Sequence, residues 1–225
     1  MQEHKEIQKL FDFISMDIGS MPISLSDNSY FLLITDSLSK LTTATAMPNA
    51  KAATVVTSIW QHWFGYFGLP KFLQSDQGPN VDGETVHQMC EKLAIKKLHS
   101  SPYHPAGNRS AERGIQSLKT LLRSMCHSRK ISIHQWDQIL PEAVLCMNNT
   151  SNASSTFSPF EIAFGMPANT VLDNKLGIEG NQKLRDTSLI RLNAVNNKAD
   201  ASCFIVTRLT NPPRFISTML VSLCF

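Results

Sequence analysis

The 225-residue chain has few of the features that would send it to a special environment. It has no apolar run near the ~18 residues that a membrane span requires. The apolar stretch at residues 215–225 is too short, and the polar opening MQEHKEIQK is not a signal peptide. The expectation is a soluble intracellular protein with no membrane partner. Cysteine is scarce: there are five, at 90, 126, 146, 203 and 224, an odd number with no CxxC pair. That excludes a disulfide framework and a zinc ribbon. The seven histidines do not join the cysteines at zinc-finger spacing. Buried free thiols are expected, with Cys90, Cys126 and Cys146 packed in a core. There is no internal repeat, and a hydrophobic content of 42% excludes global disorder.

A net charge of +3 says little, but its distribution says more. Residues 92–130 hold nine Lys/Arg and one acid, Glu112, for a local charge of +8, whereas the rest of the chain carries −5. A localised positive field suits a polyanion such as nucleic acid; the plain alternative is a solvated helix face. At the centre of this field lies SPYHPAGNRSAERGIQSLKTLLR, residues 101–123. Residues 101–109 read as turn chemistry, and a helix is expected from Ser110, capped by Asn108 or Ser110. Ala111, Ile115, Leu118, Leu122 and Met125 recur at helical spacing and mark a buried face. Glu112, Gln116, Lys119 and Arg123 share a polar face.

Along the chain, FDFISMDI (residues 11–18) predicts a strand with Phe11, Phe13, Ser15 and Asp17 on one face. The continuous apolar run YFLLIT (30–35) fits a strand covered on both sides. A third strand is expected at 41–47 and a long helix at 50–67, with Trp60 and Trp63 in the core. Gly68-Leu69-Pro70 stops that helix. Short strands at 71–74 and 95–98 flank a helix at 81–93. Helices at 133–147 and 159–164 follow, the latter begun by Pro159. After about residue 170 only a strand at 203–208 stands out. Three successive strands make a meander, and later strands alternating with helices should be parallel. The expectation is an α/β fold, a five-stranded mixed sheet flanked by helices.

In this layout Asp17 ends the first strand, Asp76 follows the fourth, and Glu112 opens the helix after the fifth. Each acid alone reads equally as a turn or capping residue. Three acids converging at strand ends would repel one another unless divalent cations with oxygen ligands, such as magnesium or manganese, lay between them. Two ions ~3.5–4 Å apart are the usual arrangement for phosphodiester cleavage and transfer.

Thirty-five residues separate Asp76 from Glu112. With that spacing, the chain resembles the catalytic core of retroviral and gypsy-type retrotransposon integrases, whose triad is Asp, Asp-35-Glu. The resemblance rests on Met16-Asp17-Ile18-Gly19, Ile34-Thr35-Asp36-Ser37-Leu38-Ser39-Lys40, Phe67-Gly68-Leu69-Pro70, Ser75-Asp76-Gln77-Gly78-Pro79, Tyr103-His104-Pro105, Ala111-Glu112-Arg113 and Ser158-Pro159-Phe160-Glu161-Ile162-Ala163-Phe164-Gly165, in that order. It implies an RNase H-like fold and a catalytic core over residues 11–170, with an extension at 1–10 and a poorly defined tail at 171–225. It further implies that Asp17, Asp76 and Glu112 hold two Mg²⁺ or Mn²⁺ ions and catalyse DNA 3′-end processing and strand transfer. His104, Asn108, Arg109, Gln116, Lys119 and Arg123 would contact DNA, the partners would be element ends, target DNA and other copies of the chain, and the site of action would be nuclear. Asp36 is expected to be a hydrogen-bonding turn residue rather than a ligand.

Two features depart from the family pattern. Relatives keep glycine where Arg109 stands, in the expected active-site loop, and Val81 replaces an aromatic residue. Neither a His-His-Cys-Cys domain before the core nor a basic domain after it is recognisable in residues 1–10 or 171–225. A catalytically impaired or host-adopted remnant, binding nucleic acid or mediating oligomerisation, is the alternative reading.

Overall fold

The computed structural model describes residues 9–76, 83–99, 105–151, 156–169 and 175, with the backbone alone at 99 and 105–112. The strand predicted at 203–208 lies outside these residues. The chain forms two compact units, residues 1–147 and 148–225.

The first unit is built on a five-stranded sheet of order β3-β2-β1-β4-β5. Its strands are β1 (Phe13–Ser20), β2 (Tyr30–Asp36), β3 (Thr42–Met47), β4 (Phe72–Ser75) and β5 (Lys96–His99). β1, β2 and β3 form the expected antiparallel meander, while β4 pairs parallel with β1 and β5 parallel with β4. Short turns suffice to reverse the chain in the meander, whereas the parallel pair β4–β5 requires a crossover helix, supplied by α3 (Glu84–Lys92).

Helices cover both sheet faces, and the alternation of each strand sorts side chains between them. Ile14, Met16, Leu32, Ile34 and Leu73 point to one layer, against Val55, Ile59, Trp63, Val86, Met89 and Cys90. Phe31 and Leu33 point to the other, against Ile115, Leu118, Leu122, Met125, Cys126, Trp136, Ile139 and Leu140. Two-sided cover is why β2 reads as an unbroken apolar run rather than an alternating one. Cys90 and Cys126 are buried and Cys146 is half-buried, and none of the three is in a disulfide.

The helix expected at 50–67 is α1 (Ala52–Ile59), a π-helical turn (Trp60–Phe64) and a last turn, α2 (Gly65–Phe67). Gly68 then leaves the helix at φ 79°, a backbone region that favours glycine. Trp63 is fully buried as expected, but Trp60 is 45% exposed, against the expectation of a core residue. Trp60 holds the Phe64 ring edge-on, 5.2 Å away between centroids, and leaves its outer side to solvent.

A second difference concerns α4, which runs from Pro105 to Ser128, five residues earlier than the predicted start. Asn108 and Ser110 therefore lie inside the helix and do not cap it. Proline at the first helical position loses no hydrogen bond, because that N–H has no intrahelical acceptor. The Pro105 signal, read as a breaker, is here a start. α5 (Trp136–Asn149) follows a 3₁₀ turn at Ile133–Gln135.

The loop between β1 and β2 is tied to the start of α5. Trp136 Nε1 donates to the Pro22 carbonyl (2.8 Å), and Leu25 N donates to the His134 carbonyl (2.8 Å). Ser24 Oγ (2.7 Å) and Asn28 Nδ2 (3.0 Å) both donate to Asp137 Oδ2. Burial pushes the Asp137 carboxyl up, but these hydrogen bonds outweigh it and hold the group below its ordinary range.

In the second unit, α6 (Pro159–Phe164) starts with a reciprocal cap. Glu161 N donates to Ser158 Oγ (3.2 Å), and Ser158 N donates to Glu161 Oε2 (2.9 Å). Gly165 ends it at φ 78°.

Candidate active site at the carboxyl ends of β1 and β4

In an open sheet, ligands gather outside the carboxyl ends of strands where the connections diverge to opposite sides. Here that point lies between β1, which continues into β2, and β4, which leads through α3 to β5. The parallel register is Phe13↔Phe72, Ile14↔Leu73 and Ser15↔Gln74. Continued by two residues, it sets Asp17 level with Asp76 on neighbouring strands, whose spacing is ~4.8 Å. Asp17 is half-buried and its Oδ1 accepts from Ile18 N at 2.8 Å. Asp76 is exposed, directly after buried Ser75, whose Oγ donates to the Asp76 carbonyl at 3.1 Å.

Glu112 reaches this neighbourhood through the packing of α4. Asp17 pairs with Leu33 across the antiparallel β1–β2 ladder, so both side chains share the sheet face that α4 covers. A Cβ placed on Gly114 would lie 3.0 Å from Leu33 Cδ2, so the absent side chain lets the helix approach β2 at that point. Gly114 is two residues from Glu112. The turn of α4 that carries Glu112 therefore passes beside the part of the sheet that carries Asp17. Gly19 has a similar part in the same layer: a Cβ there would lie 2.2 Å from Phe31 Cζ, so its absence leaves room for the buried Phe31 ring.

The other candidate residues divide plainly. His104 lies outside the described residues. Asn108 and Arg109 lie on the first turns of α4, so Arg109 stands in helix where a flexible loop was expected. Gln116 and Arg123 are exposed and Lys119 is half-buried, beside the buried stripe of Ile115, Leu118 and Leu122 on α4. Among the described side chains no three His, Cys, Asp or Glu groups cluster closely enough to hold a metal; the Glu112 side chain is not one of those described.

Asp36 behaves as a hydrogen-bonding turn residue. Fully buried at the end of β2, it accepts from Phe11 N (2.9 Å), Leu38 N (3.1 Å), Ser39 N (2.7 Å) and Ser39 Oγ (2.7 Å). It thus fastens the β2–β3 turn to the start of β1. One member of the surroundings had no sequence signal beyond the Asp36–Lys40 motif. Burial pushes the Lys40 ammonium below its ordinary pKa, the Asp36 charge opposes that shift, and the Arg113 charge adds to it.

Residues 9–105 match the model of the Integrase core domain family, a span that includes Asp17 and Asp76 and ends before Glu112. The chain is 28% identical over 160 residues to the retrovirus-related Pol polyprotein from transposon 412 of Drosophila melanogaster, covering 71% of this chain and 13% of that protein. It is 32% identical over 124 residues to the Pro-Pol polyprotein of Simian foamy virus type 1, covering 55% of this chain and 10% of that protein. The chain thus spans only about a tenth of the length of these curated relatives. Among solved structures, the catalytic core domain of BIV integrase aligns at a TM-score of 0.54 and 20% identity, over 74% of this chain and 97% of that one. A simian T-cell lymphotropic virus intasome in complex with PP2A regulatory subunit B56 gamma aligns at 0.57 and 20% identity, over 67% and 53%. These likenesses establish the RNase H-like fold.

Proposed function

We propose that the chain carries an integrase core domain, the family whose model residues 9–105 match, and that it is the catalytic core of a retrotransposon-type integrase, a two-metal polynucleotidyl transferase that trims a DNA 3′ end and joins it to a target. The observation that supports this reading is the β1–β4 register, which, continued two residues past Ser15↔Gln74, brings Asp17, inside β1, level with Asp76, directly after β4. Integrase cores of this family depend on divalent metal; the choice of Mg²⁺ or Mn²⁺ and the triad Asp17, Asp76 and Glu112 are part of the proposal.

The donor chemistry fits. Carboxylate oxygens suit hard divalent cations, and a half-buried acid beside an exposed one leaves a coordination face open to substrate. When bound, the ions would activate the attacking oxygen and stabilise the leaving one. The carboxylates would hold the ions and fix the line of attack on phosphorus. In each step an oxygen of water or of a DNA 3′-hydroxyl forms a bond to phosphorus, and the bond from phosphorus to the leaving 3′-oxygen breaks. His104, Asn108, Arg109, Gln116, Lys119 and Arg123 would grip DNA mainly through phosphates, so binding should be tolerant of sequence and sensitive to salt. Assembly of several copies on DNA, and action in the nucleus, belong to the same proposal.

The test is strand transfer and its reversal on short oligonucleotide substrates, with the full chain and Mg²⁺ or Mn²⁺. Activity should be present with the native sequence and lost in Asp76→Asn. Absence of activity with both metals would sink the catalytic reading. Salt-sensitive DNA binding that survives Glu112→Gln would then favour the non-catalytic alternative.

A further inference from the structure

Lysine is a poor fit, by backbone and by burial, for the place that Lys40 holds. In the turn between β2 and β3 its φ is 65°, a region that favours glycine or asparagine. Its N donates to the Asp36 carbonyl (3.0 Å) and its carbonyl accepts from Thr42 Oγ1 (3.0 Å), so the conformation is fastened from both sides. The residue is half-buried, and burial pushes its ammonium below the ordinary pKa. Among the described residues that ammonium has no hydrogen bond or ion pair. Asp36 does not depend on it, because the Asp36 carboxylate already accepts four hydrogen bonds, from Phe11 N, Leu38 N, Ser39 N and Ser39 Oγ. A cation withdrawn from water without a paired anion is costly, and strained backbone of this kind gathers at sites of function.

Lys40 also lies on the approach to the candidate site. Leu33 shares the sheet face of Asp17, and Thr35, two residues on, faces the same way. Thr35 stands opposite Ser15 of β1, which is ~7 Å along that strand from Asp17. On its other side Thr35 pairs with Thr42, their hydroxyls 3.2 Å apart, and Thr42 Oγ1 is the group that meets the Lys40 carbonyl. The turn of α4 that carries Glu112 passes beside Leu33, and the next residue, Arg113, is near enough for its charge to act on Lys40. Two cations therefore face a polar strip of sheet that leads to Asp17.

On the premise that the chain processes DNA, we propose that Lys40 holds a phosphate of the bound DNA, a neighbour of the one that reacts at the acids. The phosphate supplies the anion that the half-buried ammonium lacks, and the half-buried Thr35 lies on the same strip. The distance along β1 keeps this phosphate apart from any ion held by Asp17, so Lys40 grips substrate and not metal. A contact of this kind positions DNA and carries no base information.

The test titrates the full chain with short duplex DNA over a range of salt, read by fluorescence anisotropy. Lys40→Met keeps the stem and removes the charge, and Lys40→Gly suits the positive φ. Both should fold at least as stably as the native chain in urea. Both should bind about tenfold more weakly at low salt, with the slope of log affinity against log salt reduced by about one. Lys40→Arg should recover most of the slope. Lys92→Met, the same change of charge on exposed α3 across the sheet, should leave it unaltered. Strand transfer by Lys40→Met should fall at subsaturating DNA and recover at saturation, as the loss of a binding contact requires. Native DNA binding and strand transfer with an unchanged slope in Lys40→Met and Lys40→Gly overturn this inference alone. So does a marked loss of stability in both variants, which assigns Lys40 to the turn, or an equal loss of slope in Lys92→Met. A native chain that binds no DNA overturns the proposed function, and the inference with it.

Discussion

Gly114 tests whether the closeness of α4 to the sheet matters for catalysis. In a helix interior, replacing glycine by alanine stabilises by about 0.8–1 kcal/mol through backbone entropy alone. Here the new Cβ would stand 3.0 Å from Leu33 Cδ2, and Leu33 is 2% exposed. Carbon atoms pack comfortably at about 3.5–4.0 Å, so the helix must move outward by roughly 0.5–1 Å or Leu33 must leave its rotamer. Overpacking of this kind costs about 1–3 kcal/mol. The two effects oppose each other, so Gly114→Ala should change stability by no more than about 1 kcal/mol in either direction. The displaced turn, however, carries Glu112, and a misplacement of about 1 Å can lower a rate by up to about 100-fold. The expectation is therefore near-native urea denaturation with strand transfer reduced about tenfold or more. Leu33→Ala in the same chain should restore part of that rate, because it removes the opposing methyl group. Gly114→Ala with a full gain of about 1 kcal/mol and undiminished strand transfer would refute the argument.

The remaining predictions follow from local geometry. Arg109 lies within α4, so Arg109→Gly should weaken the helix by about 0.8 kcal/mol and speed amide exchange over residues 105–112. Gly19→Ala should cost about 1–3 kcal/mol in chemical denaturation, because its Cβ would lie 2.2 Å from the buried Phe31 ring; Phe31→Leu in the same chain should recover part of the loss. The depressed pKa of Asp137 implies a contribution to stability that is present above the ordinary aspartate value of about 3.9 and lost as pH falls through the folded value. Asp137→Asn should therefore destabilise the chain at neutral pH, and its deficit relative to the native sequence should shrink in acid; a deficit independent of pH would count against the carboxylate's role.

The strands and most helices were legible because their signals are local. Alternation in β1, the unbroken apolar run of β2 and the Pro159 that begins α6 each report on a few consecutive side chains. The start of α4 was misread because Pro105 and Gly107 are ambiguous locally: proline serves either as a breaker or as a first helical residue, and only the helix that follows decides. Trp60 was misplaced because a π-helical turn shifts the helical phase by which Trp60 and Trp63 were both assigned to the core.

The sequence by itself determined the order of the elements, the charge concentrated around α4 and the spacing of Asp17, Asp76 and Glu112, since all of these are properties of residues along a chain. Which acids become neighbours was decided only in three dimensions. The β1–β4 register sets Asp17 level with Asp76 through hydrogen bonds between residues nearly sixty positions apart. The close approach of α4 depends on a side chain missing from Gly114 and on the Leu33 methyl group opposite it. Neither a pairing register nor a steric fit is encoded in any short stretch, because each is settled by what lies across the sheet.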